Sequence, residues 1–235
     1  MPTDTEEPKH SFTRRHVLRG CAWLGAGALT GCYTGWPGAA AAQGALAAAE
    51  TPADALARLR QGNARFAAGA PISPQRDLAR LREVIDKQTP FAAVLGCADS
   101  RVPVELAYDQ GFGDLFVVRV AGNVASAVEI ASLEFGARIL GAKAIVVLGH
   151  SSCGAVKAAL AGGKVPGQIS TLYTHIAPAL DRGMSVDEAT IANVRYQARK
   201  LKSSPLIAQS IDRGELLVNG GVFDIATGRV QPVEL

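Results

Sequence analysis

Phe91-Ala92-Ala93-Val94-Leu95-Gly96 runs without a polar break into Cys97-Ala98-Asp99-Ser100-Arg101. An apolar run this short, with no alternation of polar residues, reads as a strand buried on both faces, the kind that parallel sheets contain. The same design recurs where Ile145-Val146-Val147-Leu148-Gly149 runs into His150-Ser151-Ser152-Cys153-Gly154. A third run covers Leu115 to Val120, and a helical pattern spans Ser126 to Leu140. Continuous apolar strands separated by helices predict an α/β fold: a mostly parallel central sheet flanked by helices. In open sheets of this kind, ligands bind at the carboxyl ends of the strands. If the runs before Cys97 and His150 are neighbours, then Cys97, His150 and Cys153 converge at one point.

Working outward, Thr51 is an N-cap with Pro52 in the first helical position, and Ala55, Leu56, Leu59 and Phe66 follow at helical spacing. A second helix is expected from Asp77 to Lys87, ending before Thr89-Pro90. Further helices are expected at Cys153–Ala161, Gln168–Leu180, Val186–Lys202 and Pro205–Arg213. The tail reads as short strands at Leu216–Val218, Val222–Ile225 and Val230–Val233. Residues 51–235 therefore make one catalytic-sized domain. The chain has 235 residues, 48% of them hydrophobic, which suffices for a packed core. A formal net charge of +3 and no basic run with interleaved aromatics in the domain exclude a nucleic-acid partner.

The first residues read as an address. Arg14-Arg15 precede a mildly apolar run from Val17 to Leu29, as in signals for the twin-arginine export machinery. Residues 1–42 are the signal and its cleavage region, and residues 43–50 an Ala/Gly-rich linker. The run is too short and too glycine-rich for a spanning helix. Leu29-Thr30-Gly31-Cys32 resembles a lipoprotein box, which would anchor Cys32 through a lipid, whereas Ala40-Ala41-Ala42 resembles an ordinary cleavage site. Both exits remove Cys21, and both put the domain in the periplasm or cell envelope.

Cys97 and Cys153 could form a disulfide, the common fate of paired cysteines in exported proteins. Their neighbours point to metal instead. Two thiolates and the imidazole of His150 suit zinc, and three protein ligands leave the fourth position for chemistry. With two thiolates the site carries no net charge, so it acidifies water less than a three-histidine site does. An oriented carboxylate compensates: Asp99 can accept the water's hydrogen bond, and Arg101 can hold Asp99 ionised and fixed.

Cys97-x-Asp99-x-Arg101 followed by His150-x-x-Cys153 resembles the paired signature of the β-class carbonic anhydrases. The likeness runs from about Thr51 to Leu235 and includes Asp114-Leu115-Phe116-Val117-Val118-Arg119, Gly122-Asn123, Leu133-Glu134-Phe135-Gly136 and Gly214-Glu215-Leu216. It implies reversible hydration of carbon dioxide to bicarbonate and a proton by zinc-bound hydroxide, one Zn²⁺ per chain, in a homodimer or homotetramer. It further implies a substrate pocket of the plant-like subtype. Gln88 matches a glutamine that hydrogen-bonds substrate, Phe116 an apolar wall, and Phe135 a position where plant enzymes carry tyrosine. Val94 stands where the other subtype has the tryptophan of a noncatalytic bicarbonate site. Alternative readings keep the site and change the outcome: hydrolysis of carbon disulfide or carbonyl sulfide, a zinc-binding module without turnover, or a redox pair of Cys97 and Cys153.

Overall fold

A computed structural model describes residues 51–235. The signal region, the linker and both early cysteines lie outside the described residues. Helix α1 (Pro52–Ala67) opens with a capping box: the Asp54 N–H donates to Thr51 Oγ1 at 3.2 Å and the Thr51 N–H donates back to Asp54 Oδ2 at 3.1 Å. Asp77 caps α2 (Leu78–Glu83), which ends four residues earlier than its sequence pattern suggests. The helix buries none of its residues, so nothing apolar holds further turns in place.

Strand β1 (Ala92–Gly96), helix α3 (Val104–Ala107), strand β2 (Leu115–Arg119), helix α4 (Ala127–Glu134) and strand β3 (Ala144–His150) follow. The helix expected to Leu140 passes after Glu134 into a π-turn, Phe135–Ile139. The widening occurs where Gly136 crosses Phe116, so closely that a Cβ on Gly136 would stand 2.8 Å from the ring. The remaining elements are α5 (Gly154–Ala161), α6 (Ile169–Ile176), α7 (Val186–Lys202), α8 (Pro205–Asp212), β4 (Leu217–Phe223) and β5 (Val230–Val233). The tail thus departs from expectation. Two short strands are one, because Gly220 and Gly221 continue the ladder where a side chain would collide with Val194 and Val230.

The sheet order is β2-β1-β3-β4-β5, with the first four strands parallel and β5 antiparallel at the edge. Every residue of β1 and β3 is buried. Alternate residues serve opposite faces. Ala92, Val94, Val146 and Leu148 pack under α1 and α3, while Ala93, Leu95, Ile145 and Val147 pack under α4, α7 and α8. No helix among the described residues is long and apolar enough to cross a membrane.

Candidate active site

Strands β1 and β3 are direct neighbours, with Gly96 in register with Leu148. From β1 the chain crosses to β2 on one side; from β3 it crosses to β4 on the other. The crevice beyond their carboxyl ends is therefore the topological switch point of the sheet, where such folds bind ligands. Cys97 immediately follows β1 and His150 ends β3. Ser152, in the left-handed region at φ 57°, turns the chain so that Cys153 becomes the N-cap of α5. His150 and Cys153 are thus joined by a tight loop. It delivers both residues to the same place: one ligand atom from each of Cys97, His150 and Cys153 lies within 4.8 Å of the others, all buried.

The chemistry of these donors fits zinc. His150 Nδ1 lies 3.0 Å from the Ser151 carbonyl oxygen, to which it donates as N–H. That bond selects the tautomer whose Nε2 carries a lone pair. Nε2 is buried and has no hydrogen-bond partner, a costly condition unless the atom is a ligand. Cys97 and Cys153 are both free thiols. The Cys153 thiol, the nearby His150 ring and the N–H of Gly122 together hold the Cys97 thiol well below its usual range despite burial. Cys153, as donor to Cys97, is pushed up. Burial opposes charge on His150, yet the Cys97 thiolate and the Ser151 carbonyl raise its pKa. The cluster is thus arranged to concentrate negative charge on sulfur, the condition for holding a divalent cation.

Asp99 and Arg101 stand at its rim. Arg101 Nε donates to Asp99 Oδ1 at 2.9 Å and Nη2 to Oδ2 at 2.8 Å, a bidentate pair, and the Arg101 backbone N–H adds 2.9 Å to Oδ1. These bonds hold the Asp99 carboxyl well below the usual carboxylate range. Asp99 Oδ2 lies 3.8 Å from His150 Nε2, so the carboxylate borders the ligand cluster while remaining committed to Arg101.

Arg119 was not singled out for a role on sequence. From the end of β2 its Nε donates to the Cys97 carbonyl at 2.9 Å and its Nη2 to the Asp99 carbonyl at 2.6 Å. It thereby braces the loop that carries ligand and carboxylate together. A cation closing an otherwise apolar strand was the available signal. Gly122 donates its N–H to Cys97 Sγ at 3.3 Å.

Phe116 and Phe135 meet away from the ligand cluster, and Gln88 lies in a cleft bordered by Ile139. Phe116 pairs with Ala93, four residues before Cys97, which at about 3.3 Å per residue is about 13 Å along the sheet. Phe135 lies with its ring centroid 6.2 Å from that of Phe116. Gln88, which precedes β1, lines a shallow cleft with Ile85, Ile139 and Gly141. Within a single chain, Phe116 lies apart from the ligand cluster along the sheet. It sits toward the amino end of its strand, and the ligand cluster sits at the carboxyl ends.

An open α/β sheet with a Cys-His-Cys group at its switch point and a locked carboxylate beside it defines a catalytic metalloprotein. Residues 92–230 match the family model described as carbonic anhydrase. The chain is 40% identical over 190 residues to a carbonic anhydrase of Mycolicibacterium smegmatis, spanning 77% of this chain and 92% of that protein. It is 38% identical over 188 residues to carbonic anhydrase 2 of Mycobacterium tuberculosis, spanning 76% and 91%. Among solved structures it resembles the Coccomyxa β-carbonic anhydrase in complex with acetazolamide, with TM-score 0.62 and 29% identity over 76% of this chain and 86% of that one. A tetrameric β-carbonic anhydrase of Sordaria macrospora gives TM-score 0.61 and 28% identity over 66% and 86%. The chain belongs to the carbonic anhydrase family, in its β class.

Proposed function

We propose that this chain hydrates carbon dioxide reversibly to bicarbonate and a proton, with one zinc ion held by Cys97, His150 and Cys153. The observation that carries the reading is the bare, buried Nε2 of His150 among two thiol sulfurs at the switch point, with Asp99 locked by Arg101 at the rim.

When bound, zinc supplies the Lewis acidity that makes water a nucleophile near neutral pH. The chain's own groups do the rest. Cys97 and Cys153 balance the cation's charge, and Ser151 fixes the His150 ring through its carbonyl. Asp99 accepts a hydrogen bond from the attacking water and so turns a lone pair toward the carbon. Arg101 depresses the basicity of Asp99, so this carboxylate orients the water rather than keeping its proton, which passes to solvent.

The rest of the pocket comes from a second copy of the chain. Ile139, which borders the cleft of Gln88, and Phe135 at the start of the same turn are 67% and 47% exposed, an apolar surface that a homodimer would bury. Brought over its partner's carboxyl-end crevice, this surface would place Gln88 as donor to a substrate oxygen and Phe116 and Phe135 as an apolar wall for carbon dioxide. Arg14-Arg15 and the run that follows support export by the twin-arginine machinery, with Cys32 as a lipid anchor or release after Ala42 as the two exits. A stopped-flow assay of carbon dioxide hydration on protein of verified zinc content tests the central reading. Zinc-loaded protein with no rate above buffer would refute it.

A further inference from the structure

Helix α7 presents two amides, Asn193 and Gln197, in the middle of a buried face that also holds Ala189, Thr190, Val194, Ala198 and Leu201. Both are fully buried, at 0% exposure. Apolar side chains would fill these positions at lower desolvation cost, so the amides must be held by specific bonds. Their partners are concentrated in one stretch. Asn193 Nδ2 donates to the Gly122 carbonyl at 2.8 Å. Gln197 Oε1 accepts the Ala125 N–H at 2.9 Å, and its Nε2 donates to Asn193 Oδ1 and to the His175 carbonyl, both at 2.8 Å. The i,i+4 pair therefore clamps both ends of the turn Gly122–Ala125.

That turn needs clamping. Gly122 and Asn123 are both in the left-handed region, at φ 72° and 44°. A Cβ on Gly122 would approach Ile176 Cδ1 to 2.7 Å. On one side of the Gly122 Cα, its N–H donates to Cys97 Sγ at 3.3 Å; on the other, its carbonyl accepts from Asn193. The carbonyl and the N–H belong to the two peptide planes that meet at this Cα, so holding the first restricts how far the second can swing from the sulfur.

We propose that Asn193 and Gln197 are positioning residues for the metal centre, acting through the backbone of Gly122 to hold a hydrogen-bond donor on the Cys97 thiolate. The inference rests on Cys97 being a zinc ligand, as proposed above. Donors to a ligand tune its charge and orientation, and losing such an outer partner costs about 10–100-fold in metal affinity.

The test uses the zinc-loaded full chain carrying Asn193→Leu or Gln197→Met, with Leu201→Ala as a control. The control removes core volume one turn further along the same helix and touches none of these bonds. Zinc release to a chromophoric chelator should become about tenfold faster or more in both amide variants. The thiolate-to-metal charge-transfer band of the cobalt-substituted protein should shift in both. In Leu201→Ala the melting temperature should fall while release rate and band stay at the parent values. Should the bulkier variants not fold, Asn193→Ala removes the same bond without added volume and must show the same changes. Parent-like release and an unshifted band in the amide variants would overturn the inference, as would equal changes in Leu201→Ala. A parent chain that binds no zinc would instead overturn the ligand assignment beneath it.

Discussion

Arg101 closes on both carboxylate oxygens of Asp99 from two residues away, at 2.9 and 2.8 Å, so the carboxylate beside the ligand cluster is aimed before any substrate arrives. Arg101→Ala should keep zinc and lower the hydration rate about 100-fold, the low end of what a positioned proton-handling group contributes. Metal analysis alongside stopped-flow kinetics checks it. A variant as fast as the parent would remove the pair from the mechanism.

The same pair sets a pH response. Asp99 has its pKa lowered in the folded protein, so its ionised form, and the stability drawn from the pair, should persist as pH falls through the ordinary carboxylate range near about 4. Both should be lost only on further acidification. Carbon-13 NMR titration of the Asp99 carboxyl should show no protonation step near 4 in the parent. In Arg101→Ala the step should return toward that value. An ordinary titration in the parent would contradict the geometry.

Cys153→Ser removes one sulfur from the ligand cluster and should leave the protein with little zinc and no measurable hydration, since tight binding needs all three donors. Elemental analysis reads the outcome directly. Full zinc content would require a different ligand set.

Gln88→Ala should slow hydration while zinc is retained, and its effect should be exerted across subunits. Co-expressed with Cys153→Ser, it should yield mixed dimers that regain part of the activity, because one crevice then combines an intact ligand cluster with Gln88 from the other chain. No recovery in verified mixed dimers would place Gln88 outside the partner's site.

Replacing Arg14 and Arg15 together by Lys should leave the protein in the cytoplasm, as cell fractionation would show. Unchanged export would mean that the signal has been misread.

Much of this architecture was legible in the residues because β1 and β3 are apolar at every position and each ends in its ligand. Cys97, His150, Cys153, Asp99 and Arg101 are brought together as their strand-end positions implied. Legibility failed where long-range contact decides. Asn219-Gly220-Gly221 read as a break, since nothing local announces Val194 and Val230 pressing on the glycines. Asn193 and Gln197 looked like ordinary polar helix residues, and only the fold reveals that their face is inward. The position of Phe116 was legible in principle. As the second residue of β2 it belongs to the amino end of the sheet, whichever way the helices pack.

The placement of the ligands on two separate crossovers has a consequence for how the protein is made. Between Cys97 and His150 the chain must lay down β2 and α4 before β3 can dock beside β1. The complete donor set therefore cannot exist in any local fragment, and closing that long excursion carries its entropic cost before the metal can reward it. Tight zinc capture thus comes late in folding and certifies that the central strands have paired in register. A pulse of chelator during refolding should lose its effect only once that pairing is complete.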